Sequence, residues 1–171
     1  SALGAVFGET AGWERPNWFA NEGQTPAYEY SWKRQNWFEN SAAEHRAIRE
    51  NVGLYDMTSF GKITVDGRDA ERFLNYICGA DMSVPAGKIV YTQFLNARAG
   101  IEADVTVTRL SENRFLVVTP AATVGRDVSW MLRHRGDFAI SILDTTASEG
   151  VLAIMGPKSR DLMQSVAPWQ D

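Results

Sequence analysis

Between Val90 and Thr119 three strand-like runs follow one another, residues 90–95, 101–108 and 115–119, separated only by a glycine turn and by Ser-Glu-Asn-Arg. Parallel neighbours need a crossover of about a dozen residues, so connections this short force an antiparallel meander. Within the middle run, alternation from Ile101 sets Ala103, Val105 and Val107 on one face and Glu102, Asp104, Thr106 and Thr108 on the other. Asp is depleted in strands because its short side chain competes for backbone hydrogen bonds, so Asp104 needs an explanation. Either its face meets water, as in a half-solvated antiparallel sheet, or it lines a pocket.

The rest of the chain places helices around that meander. Ser41 followed by Glu44 has the spacing of a capping box, which predicts a helix from Ser41 to about Asn51, stopped at Gly53. Lys62–Val65 alternates as a short strand. Asp66-Gly67 then turns the chain into a helix whose Ala70, Phe73, Leu74, Ile77 and Cys78 fall on one face, and Gly79 ends it. Val124, Val128, Met131 and Leu132 predict another amphipathic helix closed by Gly136, followed by a strand on which Phe138, Ile140 and Ile142 alternate. Val151–Met155 forms a further apolar strand. Gly156-Pro157 leads into a last helix with Leu162, Met163 and Val166 inward, and Pro168 and Trp169 stand near the end of the chain. The order βα, a run of strands, then αββα points to an α+β fold, an antiparallel sheet with packed helices and a split βαβ-like repeat.

Residues 1–40 read differently. Trp13, Trp18, Phe19, Tyr28, Tyr30, Trp32, Trp37 and Phe38 are scattered among Gly, Pro and Asn with no period of two or 3.6. This predicts an extended, Trp-rich arm that makes an inter-domain connection, cannot build its own core and lies against a larger surface.

Composition excludes several classes. A chain of 171 residues with net charge −4 and no basic run does not present a nucleic-acid surface or a face for anionic membranes. No apolar stretch approaches the roughly 20 residues of a membrane span. Cys78, the single cysteine, reads as a buried and inert thiol. His45 and His134 stand far apart with no partner at metal-ligand spacing, so neither a metal site nor a Ser/His/Asp constellation is predicted. GADMSVPAGK lacks phosphate-loop spacing and no GxGxxG follows a strand, so no nucleotide or flavin site is expected within this chain.

Four blocks in order, GLYDMTSFGKITVDGRDAERFL, AGKIVYTQFLNARAGIEADVTV, FLVVT and VLAIMGPKSRDLM, resemble the folate-binding domain of the aminomethyltransferase family, the T-protein of the glycine cleavage system. The preceding GAVFGETAGWERPNWFA and YEYSWKRQNWFENSAAEHRAIRENVGLYD resemble the entry into that domain in the larger flavoenzymes related to dimethylglycine and sarcosine dehydrogenases and oxidases. The resemblance implies that residues 41–171 form the N-terminal part of an incomplete aminomethyltransferase folate-binding domain. It further implies an upstream flavin domain, carrying FAD outside this chain, that oxidises a small N-methyl amine, whereas in a free aminomethyltransferase the carbon comes from an aminomethyl donor. The iminium carbon would be captured on tetrahydrofolate, a reduced folate, as 5,10-methylenetetrahydrofolate.

Carried over by the same resemblance, Asp104 is the catalytic and folate-contacting aspartate, Tyr91 lines the pterin pocket and Phe60 is an apolar residue of its wall. From their own sequence context, Tyr91 reads as a core or edge-strand aromatic and Phe60 as a packing residue at a strand start. Ala99 stands where the family commonly has the first of two glycines, and Ala103 where it has the first of two aspartates, which leaves Asp104 without a neighbouring carboxylate. Glu102 shares its face and reads as a surface residue or a second carboxylate. Two classes of function follow: an enzyme part performing one-carbon transfer, or a non-catalytic folate-binding or inter-domain scaffold module. Tyr91 and Asp104, kept at the family's spacing, divide the two.

Overall fold

A computed structural model describes residues 2–167; Pro168 and Trp169 lie outside the described residues. Along the chain run β1 (Ala5–Thr10), β2 (Trp13–Phe19), α1 (Phe38–Glu50), β3 (Gly53–Asp56), β4 (Gly61–Asp66) and α2 (Ala70–Ile77). Then come β5 (Ile89–Leu95), β6 (Ile101–Ser111), β7 (Arg114–Thr119), α3 (Val124–His134), β8 (Ser141–Asp144), β9 (Leu152–Met155) and α4 (Ser159–Val166). The chain groups into two compact units: one holds the first 56 residues with the segment from Leu152, and the other is Met57–Val151. Within the first unit β3 pairs antiparallel with β9, which ties the segment after α1 to the last described elements of the chain.

The unit Met57–Val151 is an antiparallel sheet in the order β5-β6-β7-β4-β8. The expected meander is β5-β6-β7. Because β4 is antiparallel to both β7 and β8, those two strands run parallel with α3 between them in sequence, which makes a split βαβ arrangement. One face of the sheet is dry: Phe94 from β5, Ala103, Val105 and Val107 from β6, Phe115 and Val117 from β7, and Ile63 and Val65 from β4. Phe73, Leu74 and Ile77 from α2 and Met131 from α3 complete that core. Each large apolar side chain so buried contributes about 1.5–3 kcal/mol relative to exposure, which is why the period-two pattern settles the register. Gly67, at φ 144°, makes the turn from β4 into α2 where a Cβ would stand 2.2 Å from the Ala139 carbonyl oxygen, so glycine is required there.

Several expectations fail for identifiable reasons. The helix after Gly67 stops at Ile77, and Cys78 is extended and bridged to Phe94. Leu132 is exposed, and the strand after α3 begins only at Ser141, with Phe138 and Ile140 packed as loop residues. Burial, not strand pairing, accounts for their alternation.

In the other unit, residues 5–19 form a β-hairpin rather than an irregular arm. Its period is hidden by Pro16, which stands opposite Phe7, and by a register shift between Val6 and Phe7. The aromatics also build a cluster of their own: Trp18 is buried, Trp37 stacks on it at 6.4 Å, and Tyr28 meets Trp37 edge-on at 5.0 Å. Helix α1 starts at Phe38, with Trp37 as its cap and no side-chain capping bond, so the Ser41–Glu44 box goes unused. Trp37, held in the cluster, sets the helix start; local propensity is overridden by packing. Leu162 and Val166 of α4 are exposed rather than inward, since the two-stranded β3–β9 ribbon offers no broad face to cover them.

Candidate functional site

Tyr91 and Asp104, thirteen residues apart in sequence, meet on the second face of the β5–β6 hairpin. The register places Gln93 opposite Asp104 and Tyr91 opposite Thr106, so Tyr91 reaches Asp104 on the diagonal. The Tyr91 hydroxyl donates to Asp104 Oδ2 at 2.8 Å, and Gln93 Nε2 donates to Asp104 Oδ1 at 3.2 Å. Each carboxylate oxygen therefore carries one donor. The hydrogen bond to Asp104 holds the Tyr91 phenol above its ordinary pKa, assisted by partial burial and by the carboxylate charge, while Gln93 acts in the opposite sense. Tyr91 keeps 65% of its surface open and Asp104 is exposed. Their face meets solvent here, as alternation allows.

The turn between the two strands is built by Asn96. Its Oδ1 accepts the N–H groups of Arg98 and Gly100, both at 2.9 Å, and its Nδ2 donates to Glu102 Oε1 at 2.7 Å. Glu102 is thus on the Asp104 face but held by the turn. Ala99 adopts φ 59°, the left-handed region, where the family's glycine would sit without strain.

Phe60 is half-buried in a turn closed by its N–H on the Met57 carbonyl at 3.0 Å, one residue before β4. It is not a partner in the Tyr91–Gln93–Asp104 cluster. Lys62, two residues on, is buried, and its Nζ donates to the Thr58 carbonyl at 2.6 Å. Burial lowers its pKa, with Glu149 and then Asp144 acting against that shift.

Sequence reasoning passed over Gln93 and Lys62. Gln93 was legible as the residue two after Tyr91 and so on the same strand face, whereas a lysine buried in a short strand leaves no pattern. It also passed over Asp127, buried on α3, which accepts from Thr119 Oγ1 at 2.5 Å and Thr123 Oγ1 at 2.8 Å. Asp127 ties α3 to β7.

The Cys78 thiol is pushed up to about 12 by burial, which makes it a poor nucleophile. Among the described residues no group of three or more His, Cys, Asp or Glu could hold a metal ion, and no helix is long and apolar enough to cross a membrane. A cavity of about 490 Å³ lies in the other unit, lined by Phe19, Ile48, Leu54 and Tyr55 among others; none of Phe60, Tyr91 and Asp104 lines it. We place the candidate site on the hairpin face, where a carboxylate, a phenol and an amide converge.

The family model of the GCVT N-terminal domain matches residues 1–171. The chain belongs to that family. It is 46% identical over 171 residues to the 4-methylaminobutanoate oxidase (formaldehyde-forming) of Paenarthrobacter nicotinovorans, covering 99% of this chain and 21% of that protein. It is 36% identical over 124 residues to the aminomethyltransferase of Staphylococcus epidermidis, covering 72% of this chain and 34% of the other. This GCVT domain segment therefore spans about a fifth to a third of these relatives' length.

The crystal structure of the glycine cleavage system aminomethyltransferase T from Bartonella henselae superposes with a TM-score of 0.80 at 26% identity, covering 99% of this chain and 42% of that one. The heterotetrameric sarcosine oxidase from Corynebacterium sp. U-96 shares the fold, with a TM-score of 0.54 at 16% identity over 82% of this chain and 69% of that one. The α+β architecture is that of the GCVT family, and the relatives similar in sequence are named as an aminomethyltransferase and a 4-methylaminobutanoate oxidase.

Proposed function

We propose that this GCVT domain segment belongs to the tetrahydrofolate-binding one-carbon transfer part of an amine-demethylating flavoenzyme. In this reading residues 1–40 form the connection from an upstream flavin domain, and residues 41–171 form the first part of the folate domain. The observation that carries it is the Tyr91–Gln93–Asp104 cluster: an exposed carboxylate fixed by one donor on each oxygen, beside a phenol ring whose face is open. Those residues fit a reduced pterin. The Tyr91 ring offers a flat surface for stacking and Asp104 has lone pairs left to accept from an amine N–H, while Phe60, outside the cluster, is assigned to the pocket wall by the family resemblance alone.

When bound, tetrahydrofolate supplies the nucleophilic amines that take the iminium carbon, giving 5,10-methylenetetrahydrofolate, the free amine and a proton. Asp104 acts in two ways. Its fixed negative charge stabilises the positive charge that moves between the two amine nitrogens, and its free lone pairs receive the proton that the attacking nitrogen must lose. Tyr91, by donating to Oδ2, keeps the carboxylate turned toward the open face. The 46% identity to an oxidase named as formaldehyde-forming supports an amine-oxidising parent, because carbon released as formaldehyde and carbon captured on folate leave the same iminium.

The test is a titration of the full-length protein with tetrahydrofolate, followed by tryptophan fluorescence. Saturable quenching is expected, and a flat titration would remove the folate reading.

A further inference from the structure

Gln93 enters the reading above only as the second donor to Asp104, yet its placement is specific. It is paired directly across the hairpin from Asp104, between Thr92 and Phe94, both buried in the core side of the sheet. Its backbone is therefore anchored from below while its amide projects on the Asp104 face, 3.2 Å from Oδ1. Tyr91 alone would leave the carboxylate free to rotate about its last torsion, since a terminal torsion of this kind is broad. A second donor on the other oxygen removes that freedom. Of the roughly four lone-pair positions of a carboxylate, two are filled by the clamp and two stay available.

We propose that Gln93 is a positioning residue which, together with Tyr91, locks the orientation of the Asp104 carboxylate for one-carbon transfer. The proposal rests on the folate reading and deepens it. Ala103 offers no carboxylate beside Asp104 and Glu102 is held by Asn96 of the turn, so orientation is not shared with a neighbouring acid. The amide supplies it. Gln93 also serves better than a charged donor would, since a lysine or arginine there would neutralise the anion whose charge the reaction needs.

The test uses the full-length protein and the variants Gln93→Met and Gln93→Glu. Met keeps length and removes the donor. Glu keeps shape and presents a second anion to Asp104. Three quantities are read: tetrahydrofolate Kd, the rate of methylene transfer at saturating folate, and the Tyr91 titration in protein carrying 3-fluorotyrosine, assigned with Tyr91→Phe.

For Gln93→Met the transfer rate is expected to fall by about tenfold, as for loss of a hydrogen bond to a charged group, with Kd within about threefold. The Tyr91 titration moves to higher pH because the opposing influence of Gln93 is gone. Gln93→Glu falls further than Met. Unchanged transfer together with an unmoved Tyr91 titration in both variants overturns the clamp, as does a loss of rate that follows only a loss of folding seen in the thermal midpoint. If wild-type protein binds no tetrahydrofolate, the folate reading fails, and the clamp is then decided by the Asp104 carboxyl carbon resonance in labelled protein: movement in Gln93→Met supports it and an unmoved resonance overturns it.

Discussion

Replacing Asp104 by asparagine removes one charge and almost no volume, so it isolates electrostatics from packing. The local network survives the change: the asparagine oxygen can accept from Tyr91, at 2.8 Å in the parent, while its amide faces Gln93, whose own amide can turn to present oxygen. Stability should therefore move little. The kinetic cost depends on what surrounds the carboxylate. A unit charge about 4 Å from the reacting nitrogen is worth about 1 kcal/mol in water and about 4 kcal/mol at an effective dielectric near 20.

In the chain alone Asp104 is exposed, and the lower figure would apply, about fivefold in rate. The folate reading requires that bound folate and the rest of the protein exclude water, so the expected loss is about 2–4 kcal/mol, roughly 30-fold to 1,000-fold in transfer rate. Ground-state affinity for tetrahydrofolate should change by less than the rate, since the charge acts on what develops in the transition state. The assay is single-turnover methylene transfer in the full-length enzyme at saturating folate, with the Tyr91 titration as an internal check: it should drop toward the ordinary phenol value once its acceptor charge is gone. A loss of fivefold or less, with folding intact, would refute the idea that Asp104 works in a water-excluded site.

Two further outcomes concern the hairpin turn and the buried lysine of β4. Ala99→Gly should stabilise the protein by about 0.5–1 kcal/mol, because relief of an αL conformation costing about 1–2 kcal/mol outweighs the added freedom of the unfolded chain; a lower midpoint in thermal unfolding would contradict this. Lys62 titrates at lower pH folded than unfolded, so the folded state binds fewer protons between the two values and the cost of burying the cation is relieved as pH rises through that window below 10.5. Urea midpoints of wild type and Lys62→Met, compared from neutral pH upward, should show wild type gaining on the variant; parallel curves would mean that Lys62 is not buried as a cation.

The meander was legible because short turns and strict alternation leave one pairing and one register, and the faces of Glu102, Asp104, Thr106 and Thr108 followed from Ala103, Val105 and Val107 being apolar. What alternation could not reveal was the meeting of Tyr91 with Asp104. That depends on which residues stand opposite across the strands, and the hairpin carries a register shift between Phe94 and Leu95. The N-terminal hairpin stayed hidden because Pro16 and the shift at Phe7 break its period, and the start of α1 because Trp37 answers to the aromatic cluster rather than to Ser41. In each case a long-range contact outvoted a local signal.

The site and the core are made from the same strands. Tyr91 and Gln93 alternate with Thr92 and Phe94, and Asp104 stands between Ala103 and Val105. A slip of β6 by one residue would carry Asp104 into the dry face and push Val105 and Val107, 2% and 1% exposed, into water. Exposing the two valines would cost about 3–6 kcal/mol, and burying an ionised carboxylate among Phe94, Phe115 and Val117 would add a larger penalty unless it neutralised. The register that joins Asp104 to Gln93 and Tyr91 is therefore guarded by the hydrophobic face behind it. Rigid placement of a charge on an open sheet surface needs no loop or lid when the penalty for every alternative pairing falls on the core.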